Sequence, residues 1–133
     1  MTYMLDTNIC IYAIKKAPAN VYKMLDQKLD AGICISALTL AELEHGVSKS
    51  AFPEKNEEAI TKLTANIPVI PFDSGAAIDY GKICAHLQKA GTPIGTMDML
   101  IAAHARSLGL TIVTNNVREF ERVPNLMIEN WAE

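Results

Sequence analysis

The chain has 133 residues, half of them hydrophobic and 20% charged, with 12 Lys+Arg against 15 Asp+Glu. This describes one globular domain over residues 1–133 with a real core and excludes a disordered chain, while a net charge of −3 excludes a protein that grips nucleic acid by overall positive charge. No apolar run approaches the roughly 20 residues of a membrane span and no export signal is visible, so a cytoplasmic location is expected.

In chain order, Thr2–Leu5 is a short apolar run that ends in Asp6 and breaks into Thr7-Asn8. It reads as a buried strand delivering a carboxylate to its C-terminal edge, where parallel α/β sheets bind ligands. Asp6 equally suits the N-cap of a helix starting near Asn8, and Thr7 and Asn8 can orient a carboxylate or serve the same capping chemistry. Further strands are expected at Ile33–Ser36, Ile67–Phe72, Thr111–Thr114 and, more weakly, Leu126–Glu129.

Helices fill the intervals. Two meet near Phe52-Pro53 within Leu38–Asn66, the second opened by Pro53-Glu54 and carrying Glu58 and Lys62 as an i,i+4 pair. Asp73 and Ser74 are suited to cap a helix running to about Lys89, with Ala76, Tyr80, Ile83 and Leu87 on one face. The loop Gly91–Thr96 leads into a helix over Met97–Leu108, and Gly109 fits a left-handed cap at its end. Strands and helices alternate, which favours an α/β fold of three layers with a central parallel sheet flanked by helices.

Four acids fall at junctions expected on one sheet edge: Asp6, Glu42, Asp98 and Glu119. Thr39-x-x-Glu42 fits a capping box, yet the apolar neighbours of Glu42 place it in the first turns of a mostly buried helix, pointing toward the strand ends. Asp98 opens a helix that is apolar nearly all round. Glu119 follows the polar turn Thr114-Asn115-Asn116-Val117-Arg118, where an exposed surface acid is the alternative. Acids gathered at one edge repel one another unless a cation lies between them, and a divalent metal is the usual solution.

Other chemistry is absent. Cys10, Cys34 and Cys84 are widely spaced in apolar surroundings and read as small buried hydrophobes in a reducing compartment. His45, His86 and His104 lack zinc spacing and are assigned to structure or surface. There is no Gly-rich phosphate loop, nucleophile elbow or dinucleotide fingerprint.

Taken in order, Met4-Leu5-Asp6-Thr7-Asn8, Ser36-x-x-Thr39-x-x-Glu42-Leu43 with Gly46, Gly91-Thr92-Pro93-Ile94-Gly95 leading to Asp98, and Thr114-Asn115-Asn116-x-Arg118-Glu119-Phe120 resemble a PIN domain, more closely a VapC-type toxin. The resemblance spans essentially the whole chain. It implies an endoribonuclease dependent on Mg²⁺ or Mn²⁺, with Asp6, Glu42 and Asp98 at the family's three acidic motifs and Glu119 near its fourth. Many PIN domains have an acid at Asn116, so Glu119 is expected to take that place one helical turn later.

Asp6 and Asp98 are then the direct metal ligands, and Asn8, Thr114, Asn116 and Arg118 the polar groups for substrate. Lys15, Lys16 and Arg122 are further candidates for RNA contact. The resemblance also implies transfer RNA, including the initiator, as substrate, a VapB-type antitoxin as partner, and a homodimer. Ile9, Ile11, Tyr12, Val47 and Phe52 are apolar groups available to such interfaces or to the core. Two other functions fit a strand-end aspartate: a phosphohydrolase of the haloacid dehalogenase type with Asp6 as nucleophile, which wants an acid at Asn8, and a non-catalytic regulatory module, which tolerates loss of Asp98.

Overall fold

β1 (Tyr3–Leu5) is the first strand in the chain and the central one in the sheet of the computed structural model, which describes residues 1–133. It pairs in parallel with β2 (Ile33–Ser36) on one side and β4 (Thr111–Val113) on the other; β3 (Val69–Ile70) and β5 (Ile128–Glu129) form the edges. The order is β3-β2-β1-β4-β5. Leu5 is in register with both Ile35 and Val113. The next residues of the three strands, Asp6, Ser36 and Thr114, are therefore brought level at the C-terminal edge.

Alternation along these strands splits the core in two. Tyr3, Leu5, Ile33 and Ile35 face a cluster with Ile9, Val21, Leu25, Leu43 and Ile60, supplied by α1 (Thr7–Lys15), α2 (Ala19–Lys28), α3 (Ala37–Ser48) and α4 (Pro53–Asn66). Met4, Cys34 and Ile112 face the opposite cluster of Ile83, Leu87, Ile101 and Phe120, supplied by α5 (Ser74–Ala90), α6 (Thr96–Ser107) and α7 (Val117–Phe120). Strands buried on both faces read as continuous apolar runs, and three layers result. Each fully buried side chain of Leu or Met size stabilises the fold by about 1.5–3 kcal/mol.

The helix boundaries follow their caps. Asp73 accepts the N–H of Ala76 at 3.0 Å to open α5, and Pro53 occupies the first turn of α4. Glu58 and Lys62 pair at 3.3 Å on the exposed face of α4. Gly109, at φ +68°, donates to Arg106 while Leu110 donates to Ala105, so α6 closes as its glycine predicts.

Two expectations need correction. The strand expected over Ile67–Phe72 contracts to Val69–Ile70 because Pro68 and Pro71 bracket it and neither can donate to a ladder. Ile67 instead caps the end of α4 and packs in the core. The capping box of Thr39 and Glu42 does not form: Ser36 is the N-cap of α3, its Oγ accepting the N–H of Leu38 at 3.0 Å. That frees Glu42 to point elsewhere.

Candidate active site

Asp6 performs both roles that the sequence offers it. Its Oδ1 accepts the N–H of Ile9 at 2.9 Å, capping α1, while its Oδ2 accepts the hydroxyl of Thr114. The carboxylate is only 5% exposed. Burial raises its pKa, the bonds from Thr114 and Ile9 oppose that shift, and the charge of Glu42 adds to it. Thr114 Oγ also accepts the N–H of Asn116, which fixes the turn after β4.

The other acids converge from three helices. Glu42, in the second turn of α3, accepts the hydroxyl of Thr7 from the first turn of α1. Asp98 is the third residue of α6, and the Asn116 side-chain amide donates to its Oδ2 at 3.5 Å. Burial, then the charges of Glu119, Asp6 and Glu42, push the Asp98 carboxyl up to about 6. Asp98 therefore feels all three other acids, and Glu119 is the nearest in effect. No Lys or Arg pairs with any of the four; the ion pairs of the fold are Glu58–Lys62 and Asp79–Arg106.

As they stand, no three acid side chains close around a common point tightly enough to enclose an ion. The shared field and the geometric separation describe the same arrangement, an open cluster that needs side-chain adjustment to grip. The donors are all carboxylate, hydroxyl and amide oxygens, the set preferred by hard divalent cations.

The remaining candidates divide. Thr114 and Asn116 are part of the cluster, whereas Asn8 is exposed on the first turn of α1 and bonds to none of the acids. Arg118 is exposed on α7 beside Glu119. Lys15 shares with Glu42 a cavity of about 300 Å³ between α1, α3 and α4. Lys16 lies over the Tyr22 ring, and Arg122 donates to the carbonyl of Pro93 at 3.0 Å, which ties α7 to the loop before α6. A cavity of about 650 Å³ lies between α2 and α4, away from the acids. Ile9 and Val47 are buried in the core and present no surface to a partner, while Phe52 is 69% exposed.

His104, read from sequence only as structural or surface, is buried against Ser36 beneath this edge. The signal available was its place on a helix whose other inward residues, Ile101, Ala102 and Ala105, are apolar.

A PIN-domain family profile matches residues 3–126. The tRNA(fMet)-specific endonuclease VapC of Shigella flexneri is 48% identical over 133 residues, covering 99% of each chain. The Salmonella typhimurium protein of the same name is 44% identical over 132 residues, again covering 99% of each. Among solved structures, VapBC2 from Rickettsia felis bound to promoter DNA superposes with a TM-score of 0.93 at 43% identity, covering 98% of this chain and 99% of the other. The chain belongs to the PIN-domain family and, within it, to the VapC ribonucleases. This displaces the dehalogenase and regulatory readings.

Proposed function

We propose that this protein is the toxin of a type II toxin–antitoxin pair, a Mg²⁺- or Mn²⁺-dependent endoribonuclease that hydrolyses RNA phosphodiester bonds at the edge bearing Asp6, Glu42, Asp98 and Glu119. The observation that carries the reading is the carboxyl of Asp98, raised by burial and by the charges of Glu119, Asp6 and Glu42, beside an Asp6 raised by burial and by Glu42, with no basic side chain paired to any of the four. Asp6 and Asp98 would hold the ion, Asp6 with its orientation already fixed by Ile9 and Thr114. Such an ion, when bound, lowers the pKa of water and stabilises charge on the phosphate and leaving oxygen.

The chain's own residues do the rest. Glu42, held by Thr7, would bind the ion or hold its water. Glu119 completes the acid ring, Asn116 orients Asp98, and Arg118, exposed beside Glu119, is available to a substrate phosphate. The Shigella and Salmonella relatives are named for cleavage of tRNA(fMet), and their identity to this chain supports initiator tRNA as its substrate. Solved VapBC structures support a VapB-type antitoxin as its partner. A homodimer and a cytoplasmic location complete the proposal; no helix is long and apolar enough to cross a membrane.

The test is incubation of purified protein with total RNA, with Mg²⁺ or with chelator, followed by mapping of new ends. Discrete cuts that vanish with chelator and with Asp6→Asn are expected. Equal cleavage in chelator would overturn the metal, and an active Asp6→Asn protein would remove Asp6 from the mechanism.

A further inference from the structure

Polar side chains of neighbouring elements bond to the acids: Thr7 to Glu42, Thr114 to Asp6, and Asn116 to Asp98. They join α1 to α3, β4 to the end of β1, and the turn before α7 to α6. None joins α3 to α6, the helices that carry Glu42 and Asp98. That link is made below the site by Ser36 and His104, whose Oγ and Nδ1 lie 2.9 Å apart. Neither is accessible, Ser36 being 0% and His104 1% exposed.

The pair can form with Ser36 as the donor. Ser36 Oγ already accepts the N–H of Leu38 as the cap of α3, and it has one proton to donate. On the far side of the ring, Nε2 is buried without a hydrogen-bond partner. With the ring proton on Nε2, Nδ1 accepts from the Ser36 hydroxyl, the tautomer this pairing requires. The Phe72 ring packs edge-on against the imidazole, centroids 5.3 Å apart at 72°. Burial lowers the pKa of His104 and outweighs the opposing charge of Asp73, so the ring is neutral and keeps its acceptor.

We infer that His104 is a positioning residue for RNA cleavage, acting through Ser36 to hold α6 against the start of α3 and so fix Asp98 relative to Glu42. Each acid stands six residues from the pinned residue of its own helix. At 1.5 Å per residue that is about 9 Å, so a swing of about 5° between the helices moves the acids about 0.8 Å relative to one another. Misplacement of that order lowers turnover by on the order of 100-fold without any loss of substrate contact. The inference rests on the ribonuclease reading of the edge.

The test compares the wild type with His104→Leu, His104→Asn and Ser36→Ala, using steady-state cleavage of a tRNA anticodon stem-loop in Mg²⁺, with thermal unfolding of each. Asparagine presents an acceptor where Nδ1 stands, and leucine does not. His104→Leu and Ser36→Ala should lower kcat on the order of 10- to 100-fold with KM within about 2-fold, and His104→Asn should stay within about 3-fold of wild type. If His104→Leu does not fold, Ser36→Ala and His104→Asn carry the comparison.

Wild-type kcat in folded Ser36→Ala, or equal loss in His104→Asn and His104→Leu, overturns the inference. Nitrogen NMR of the wild-type imidazole gives a reading without activity. A neutral ring protonated on Nε2 supports the pin, and a proton on Nδ1 overturns it as drawn. A wild type that cuts no RNA defeats the ribonuclease reading instead, and the ring nitrogens still report on the pair.

Discussion

Thr114 and Asp6 stand 108 residues apart in sequence and meet in a buried hydroxyl-to-carboxylate hydrogen bond of 2.5 Å. The parallel register that levels Leu5 with Val113 makes the meeting unavoidable. Thr114→Val keeps the shape and removes the donor, leaving one oxygen of Asp6 unpartnered and the Asn116 N–H without its acceptor. A loss of about 1–3 kcal/mol in denaturant unfolding is expected, with turnover reduced on the order of 10- to 100-fold. Thr114→Ser should restore both. Full activity in Thr114→Val would separate this bond from the chemistry.

Burial of Asp98 and repulsion from its neighbouring acids predict a variant that is dead and yet more stable. The Asp98 carboxyl is pushed from 3.8 up to about 6, so between those values the native state holds a proton that the unfolded chain has lost. Stability of the metal-free protein from this group therefore falls as pH rises through that window and stays reduced above it. Asp98→Asn removes the penalty. In chelator at pH 7.5 it should be more stable than wild type by about 0.5–2 kcal/mol while cutting no RNA. Thermal scans of both proteins at pH 4.5 and 7.5 decide it: a gap that does not widen with pH contradicts a penalty on the ionised Asp98.

Glu119 and Asn116 compete for the role of fourth group, and the Asp98 carboxyl reports on both. Glu119 raises its pKa by charge and by a side-chain hydrogen bond. Glu119→Gln should bring Asp98 down from about 6 toward its ordinary value, and Asn116→Ala should move it less. A carbon NMR titration of the metal-free protein measures this. An Asp98 indifferent to Glu119→Gln would return Glu119 to the solvated surface.

Away from the site, Arg106 holds both oxygens of Asp79 at 2.8 and 2.7 Å and donates to the carbonyl of Pro124 at 2.9 Å. One guanidinium thus ties α6 to α5 and to the segment before β5. The bond from Arg106 lowers the Asp79 pKa, so this stability is present above the ordinary carboxylate value and is lost as pH falls through the depressed one. Arg106→Leu should cost about 1–3 kcal/mol by leaving a partly buried carboxylate without its partner. Arg106→Lys should recover only part, since an ammonium cannot reproduce the planar fork. Cleavage per folded molecule should be unchanged in both, which unfolding and active-site titration would show together.

Much of this was legible because capping residues and apolar runs act locally. Gly109, Asp73 and Pro53 mark boundaries through backbone conformation alone, and β1, β2 and β4 are uninterrupted apolar segments. What was not legible depends on neighbours distant in sequence. Thr39 and Glu42 have the spacing of a capping box, but Ser36 reaches the helix start first because β2 runs directly into α3. Ile67–Phe72 has strand composition, and its two prolines limit it to an edge pairing of two residues. Asp6 could not be divided between cap and site because its two oxygens serve both. Asn8 carried the motif yet points to solvent, since position 8 lies on the outer side of α1.

The central place of β1 also governs when this edge comes into being. Its partners begin at Ile33 and Thr111, so the first strand synthesised waits almost the length of the chain for its second neighbour. On the ribosome, Asp6 and Glu42 emerge early, Asp98 and Thr114 late. A truncated or still-growing polypeptide owns half the acids and no hydroxyl for Asp6. Translation thus acts as a timer, and this edge is complete only when synthesis is nearly done.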